Sequence, residues 1–295
     1  MFKRLLLYLK EMFPLTHIIS SLLLGLTFFA TISLADQKKI PFYTSEIYES
    51  LITVLLLSLM LRIMDEFKDL KDDLINFPER PIPSGKVLIS DLKILQSVVI
   101  FLMIILNFDN ILMMLGLLIS LFYSYLMYKW FFIENKMRTN LPLALLSHHP
   151  VVYTYLFYLF LTYRSIHSTT SIQLMIYALP IGILLLIWEL SRKIRNPNQE
   201  TNYTTYSKIW GIKKCITIVA GLISFNCLFL IYYFLYFELN ILILLLFFIT
   251  LLLILKPLKQ FYQSRFYHFN LKPMAEHFAL TYQLIFIISY LLYET

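Results

Sequence analysis

The sequence predicts an all-helical, polytopic membrane protein, on three observations. Of its 295 residues 59% are hydrophobic and only 15% charged, against about 25% charged in an ordinary soluble domain. The mean hydropathy is +0.71, and a soluble domain of this length could not hide so much apolar surface in one core. The apolar residues fall into runs of roughly the ~20 residues that cross a bilayer as a helix, without the period-two alternation of a membrane barrel. The formal net charge of +7 does not indicate nucleic acid, because the basic residues sit in short connections between apolar runs rather than in a phosphate-tracking patch.

Nine spans are expected, over 15–35, 47–64, 92–108, 110–128, 141–163, 171–191, 215–237, 239–255 and 276–293, in a single membrane domain covering 1–295. Lys3, Arg4 and Lys10 precede the first, but no small-residue cleavage site follows, so it reads as a retained helix rather than a signal peptide. Tight turns join spans three and four and spans seven and eight. The runs 15–128 and 141–255 read as pseudo-repeat halves, with 276–293 as a last helix. The fifth span holds His148 and His149 before Pro150, which suits either a cavity lining or the satisfaction of carbonyls at a proline kink. Cys215 and Cys227 lie inside one apolar run, a setting for packing rather than for a metal or a disulfide.

Charge sets the expected orientation. With the N-terminus and every second loop on one side, that side collects 22 of the 25 Lys and Arg, leaving Lys38, Lys39 and Arg164 opposite. The positive-inside rule then puts the N-terminus and the long polar loops in the cytoplasm and the C-terminus outside, in a multi-pass cell membrane. Long loops in compact proteins are often functional, which directs attention to those after spans two and six.

Span two runs out into Asp65-Glu66-Phe67-Lys68-Asp69-Leu70-Lys71-Asp72-Asp73. Asp65, Asp69 and Asp73 recur every four residues, so a continuous helix would put three carboxylates on one face. Such a row repels itself, and an oxygen-seeking divalent cation would offset the repulsion; magnesium takes one or two carboxylates and completes its shell with phosphate oxygens. The prolines of Asn76-Phe77-Pro78-Glu79-Arg80-Pro81-Ile82-Pro83-Ser84-Gly85 stop the helix and fix a turn. That turn is expected to hold Arg80 near the acids, where a guanidinium grips phosphate in a bidentate fashion.

These two stretches resemble the UbiA-type intramembrane prenyltransferases, whose first motif, N-D-x-x-D-x-x-x-D, is followed by R-P-x-x-S-G. Asp65-Glu66-x-x-Asp69-x-x-x-Asp73 and Arg80-Pro81-Ile82-Pro83-Ser84-Gly85 follow that pattern, with Asp65 in place of the usual Asn and Glu66 at the first Asp position. The run from Asp73 to Pro81 is similar to members that prenylate glycerol lipids. The resemblance implies a nine-helix bundle with a cytoplasm-facing cavity, and Mg²⁺ held by Asp65, Asp69 and Asp73. It also implies that Lys129 and Tyr125, at the end of span four, lie near a diphosphate; a lone lysine there also suits a snorkelling anchor.

The family's second motif, K-D-x-x-D-x-x-G-D, is altered. Arg192 takes the Lys position, Lys193 and Asn196 replace aspartates, and Glu200 keeps an acid, ahead of Tyr203, Thr205, Tyr206, Ser207, Lys208 and Gly211. Cations thus stand where metal ligands are usual, so Arg192, Lys193 and Arg195 are expected to neutralise diphosphate directly. Glu189 lies one turn before Lys193 and is expected to orient it or reach a metal. By resemblance the expected activity is Mg²⁺-dependent transfer of a prenyl group from a polyprenyl diphosphate to a lipophilic or aromatic acceptor, catalysed by Asp65, Asp69, Asp73, Arg192 and Lys193. Arg80, Lys129, Tyr125, Arg195, Glu189 and Glu200 would bind substrate. The partners implied are that diphosphate, its acceptor and membrane lipid. Alternatives are a terpene cyclase or phosphoribosyl transferase on the same fold, or a non-catalytic transporter or lipid-binding protein. Acceptor, chain length and oligomeric state are left open.

Overall fold

The structure, a computed structural model, describes residues 1–40, 42–197, 200, 204–263 and 271–294, with only the backbone for 253–255, 257–263 and 294. Tyr203 of the second motif, Arg265 of the expected cytoplasmic loop and the terminal Thr295 lie outside the described residues. Among those described there are helices and turns and no strand.

Among the described residues seven stretches are long and apolar enough to cross a membrane: Leu15–Asp36, Ser45–Lys68, Ile89–Asn107, Ile111–Tyr128, Ile172–Arg192, Ile212–Tyr236 and Lys272–Tyr293. The fifth expected span is divided. Helix α8 (Leu141–His148) ends before Pro150 and α9 (Val151–Ile166) begins after it, because a proline lacks the N–H and crowds the preceding turn. Inside α8, His148 Nδ1 lies 2.7 Å from the Ala144 carbonyl and the Ser147 hydroxyl donates to Leu143 at 2.8 Å. The first of these contacts puts His148, though not His149, on a main-chain carbonyl next to the proline break. The eighth expected span falls within α13 (Ile241–Gln263), of which Ile241–Leu252 is the described apolar part.

The chain forms two compact units. The first comprises Met1–Leu26, Pro41–Lys136 and Tyr153–Thr170. In it α3 (Ser45–Lys68) packs on α5 (Ile89–Asn107) and α6 (Ile111–Tyr128). A Cβ on Gly116 of α6 would sit 2.9 Å from Tyr158 Cα, so only glycine permits this approach to α9. A buried chain of bonds ties the same helices: Tyr158 donates to Asn107 Oδ1 at 2.7 Å, and Asn107 Nδ2 donates to Thr53 at 2.9 Å. The outer face of α5, with Val98, Phe101, Leu102 and Ile105 exposed, is apolar as lipid contact requires. Before the first span lies the amphipathic α1 (Phe2–Met12), packed on α5; Arg4 pairs with Asp91 at 2.6 Å.

The second unit comprises Thr27–Ile40, Met137–Val152 and Ser171–Thr295. Here α10 (Leu179–Arg192) packs on α12 (Ile212–Tyr236) and α14 (Lys272–Glu294), and α13 packs on α12 and α14. Rings of Tyr233, Phe237, Phe286, Tyr282 and Phe278 stack edge-on or tilted through this interior. Two tyrosines serve main-chain groups of the first segment: Tyr233 donates to the Thr31 carbonyl at 2.5 Å, and Tyr290 accepts from the Ile40 N–H at 2.6 Å.

Candidate functional site

The polar end of α3 is built by an interruption. Asp69 has φ −100° and ψ 7°, so α3 stops at Lys68 and a short α4 (Leu70–Asn76) begins beyond it. The one-turn spacing survives, since the Asp69 N–H donates to Asp65 O at 2.8 Å and the Asp73 N–H to Asp69 O at 2.9 Å. The carboxylates nonetheless go separate ways. Asp65 is paired with Lys68 at 3.2 Å, and the Lys68 ammonium also lies 4.6 Å from the centre of the Trp130 ring. Asp73 is 8% exposed at its side chain and accepts 2.7 Å contacts from Arg80 Nη1 on both oxygens.

The turn that presents Arg80 is closed by main-chain bonds from Arg80 N to Phe77 O, Ser84 N to Arg80 O and Val87 N to Pro81 O. Its last bond, Gly85 N to Ile82 O, needs Gly85 at φ 74°, the left-handed region that favours glycine. Arg80 also stacks 3.9 Å over the Phe77 ring. In this structure Arg80 Nη1 is thus committed to bracing Asp73.

Asp69 is left as a half-buried, acceptor-only carboxylate. Burial pushes its pKa up to about 6; Lys68 opposes that, and Asp65, Asp73 and Asp72 add to it. Among the described residues no group of three or more His, Cys, Asp or Glu side chains stands close enough to hold a metal ion, so the three aspartates are not assembled as one ligand set. The donors fit magnesium in its looser form. Asp65 and Asp69, one turn apart, are hard oxygen donors, and substrate oxygens and water complete such a shell.

Sequence reasoning passed over what supports these acids. Glu66, 2% exposed, is ion-paired with Arg62 inside α3. Tyr8 of α1 is buried, and burial followed by the charge of Glu66 raises its hydroxyl pKa. Beyond α6, Trp130, Phe131 and Phe132 take φ of 49°, 49° and 60°, a left-handed turn that costs about 1–2 kcal/mol per non-glycine residue. That turn sets Trp130 against Lys68. Lys129, which ends α6, has its ammonium 5.1 Å from the Tyr128 ring and 5.9 Å from the Tyr125 ring.

In the second unit, Glu189 on α10 accepts from Arg192 Nε at 2.5 Å and lies 3.0 Å from Lys193 Nζ, so it is ion-paired with both cations. Arg192 lies 5.1 Å from the centre of the Trp188 ring, whose Nε1 donates to Glu276 at 3.2 Å. Glu200 is a fastening for the loop: it accepts from Thr205 at 2.7 and 2.8 Å and from Ser207 at 2.6 Å. Ser207 also accepts from the Arg195 N–H at 2.9 Å. Arg195 and Glu200 line an open cavity of about 590 Å³ with Ser207, Lys208, Trp210 and Lys213; Glu189, Arg192 and Lys193 do not. The second motif is therefore split into a clasped pair of cations and a separate basic cavity. The short spacing in Thr205-Tyr206-Ser207 was the signal for the fastening, since alternate hydroxyls flanking a buried ring can reach one carboxylate.

Apolar spans ending in charged turns define an integral membrane protein with its polar chemistry at the helix ends. No protein-family model and no curated protein matches the sequence. Solved structures that resemble it over nearly the full chain include one of digeranylgeranylglyceryl phosphate synthase, at TM-score 0.65 and 17% identity, covering 98% of this chain and 99% of that one. Another is the apo structure of a UbiA homolog from Aeropyrum pernix K1, at TM-score 0.69 and 12% identity, covering 93% and 97%. The chain has the UbiA-type fold.

Proposed function

We propose that the protein is an intramembrane prenyltransferase, which moves a prenyl group from a polyprenyl diphosphate to a nucleophilic, lipophilic acceptor. The observation that carries this is the end of α3: two carboxylates one turn apart where a span meets water, one of them half-buried. The UbiA-type fold supports it. In the reaction the allylic C–O bond breaks, both its electrons leave with the diphosphate, an electron pair of the acceptor forms the new bond to carbon, and the acceptor's proton is released to water or to the departing diphosphate. A magnesium ion on Asp65 and Asp69 would supply Lewis-acid neutralisation of the departing diphosphate.

The protein's own groups have distinct tasks. Lys68 holds Asp65 in place and Arg80 holds Asp73, so Asp69 meets an incoming cation without competition from a preformed ion pair. We further assign Arg192 and Lys193 the role of fixed positive charge for the leaving diphosphate. That assignment rests on the motif correspondence, and their clasp by Glu189 would spare them reorganisation as charge develops.

The test is diphosphate release in liposomes from a panel of polyprenyl diphosphates across a magnesium titration. Asp69→Asn should slow release and be partly rescued by excess magnesium. Lys193→Ala should lose about 10²–10³ in rate, the scale of one fixed transition-state donor, and magnesium should not restore it. No release from any diphosphate by the wild type would end the proposal. A Lys193→Ala rate equal to wild type would reduce the α10 cations to topological anchors.

A further inference from the structure

We infer that the cavity beside α12 is a binding site for a phosphate group, separate from the cations assigned to the leaving diphosphate. It is lined by Arg195, Lys208, Lys213 and Lys214 against the one carboxylate of Glu200, and that carboxylate is already engaged by Thr205 and Ser207. The lining residues thus carry four cations to one carboxylate, on a lining whose accessible surface is mostly apolar, and at about 590 Å³ the open cavity has room for a headgroup rather than only a lone ion. Its place favours a lipid as the carrier. Lys213 and Lys214 are exposed in the first turn of the span Ile212–Tyr236, which is headgroup level for a membrane helix. Trp210 and Ile212, also in the lining, supply the apolar and aromatic contact suited to the glycerol region beneath a lipid phosphate.

The ligand chemistry is a phosphate ester or phosphate anion, and two arms separate the sources. In the first, wild-type protein in mixed phosphatidylcholine and phosphatidylglycerol nanodiscs is assayed by native mass spectrometry for retained phosphatidylglycerol. In the second, inorganic phosphate is titrated calorimetrically into protein in pure phosphatidylcholine. The full chain is compared with K213Q/K214Q and, as a control for general surface charge, K3Q/K10Q. At least tenfold weaker binding in K213Q/K214Q, with K3Q/K10Q unchanged, supports the site; the arm that shows it names the carrier. Equal loss in both double variants, equal retention in both, or no binding in either arm overturns it. Lys213→Arg should retain binding, and equal melting of the variants in neutral lipid guards against unfolding. Neither readout needs turnover, so this result stands apart from that of the prenyl-transfer assay.

Discussion

Asp69 is where protonation, metal affinity and stability meet. Its folded pKa of about 6 lies above the ordinary carboxylate value of 3.8, chiefly through burial, so the native state binds the proton more tightly than the unfolded chain. Stability then falls as pH rises through the interval between these values and is flat beyond it. With a chelator present, the melting temperature of wild type should therefore drop relative to Asp69→Asn between about pH 4 and about pH 6; parallel curves would refute the assignment. The same proton competes with magnesium, so apparent magnesium affinity should weaken by about tenfold per pH unit below about pH 6. Asp73 is the contrasting case. Arg80→Ala strands a carboxylate 8% exposed at its side chain and should cost about 2 kcal/mol in a reversible melt, less than a fully buried pair because the arginine is partly solvated. Adding Asp73→Asn should recover part of that loss. The four-residue recurrence of Asp65, Asp69 and Asp73 was plain in the sequence. Their divergence was not, because it depends on Lys68 and Arg80 choosing partners after the chain has folded.

At the scale of elements, breaks in helices were the least legible features. The interruption at Asp69 carries no proline or glycine of its own, and ion pairs of Asp65 with Lys68 and of Asp73 with Arg80 lie on either side of it. The break at Pro150, by contrast, was marked by the proline and by the histidine pair before it. The left-handed turn at Trp130–Phe132 had no sequence signal, since three aromatic residues are poor occupants of that conformation. Phe132 is 70% exposed, so Phe132→Gly should relieve strain without opening a hole. It should raise the melting temperature by the equivalent of about 1 kcal/mol; a fall would mean that the phenyl ring anchors the helix end. Gly116 is the opposite test. A Cβ there meets the backbone of Tyr158 at 2.9 Å, which no side-chain rotation can relieve. Gly116→Val should therefore destabilise the first unit by about 1–3 kcal/mol, read as a lowered melting temperature.

For the whole molecule, composition and hydropathy disclosed the helical membrane class, and the two polar motifs disclosed its UbiA-type fold. Two of the nine expected spans are harder to count. α8 and α9 are each short of a full crossing, though together they run from Leu141 to Ile166, and α13 has a described apolar part of only Ile241–Leu252. The count decides topology. If both these stretches cross, or neither does, an odd number of spans puts the termini on opposite faces; if one alone crosses, the termini share a face. The 22-to-3 division of basic residues is obtained only when both stretches cross, and it favours that count with the N-terminus in the cytoplasm. Cysteine labelling can decide it, because the native thiols Cys215 and Cys227 are both buried and should leave a low background. Lys3→Cys and Lys208→Cys should react with an impermeant maleimide only after the membrane is opened. Tyr43→Cys, at a position 90% exposed between the first two spans, and a cysteine appended after Thr295 should react in sealed cells. Protection of the appended cysteine alone would mean an even count, with one of the two uncertain stretches lying in the interface. Labelling of Lys208→Cys from outside, with Lys3→Cys still protected, would mean that 141–163 does not cross, and would overturn the cytoplasmic placement of the α10 cations.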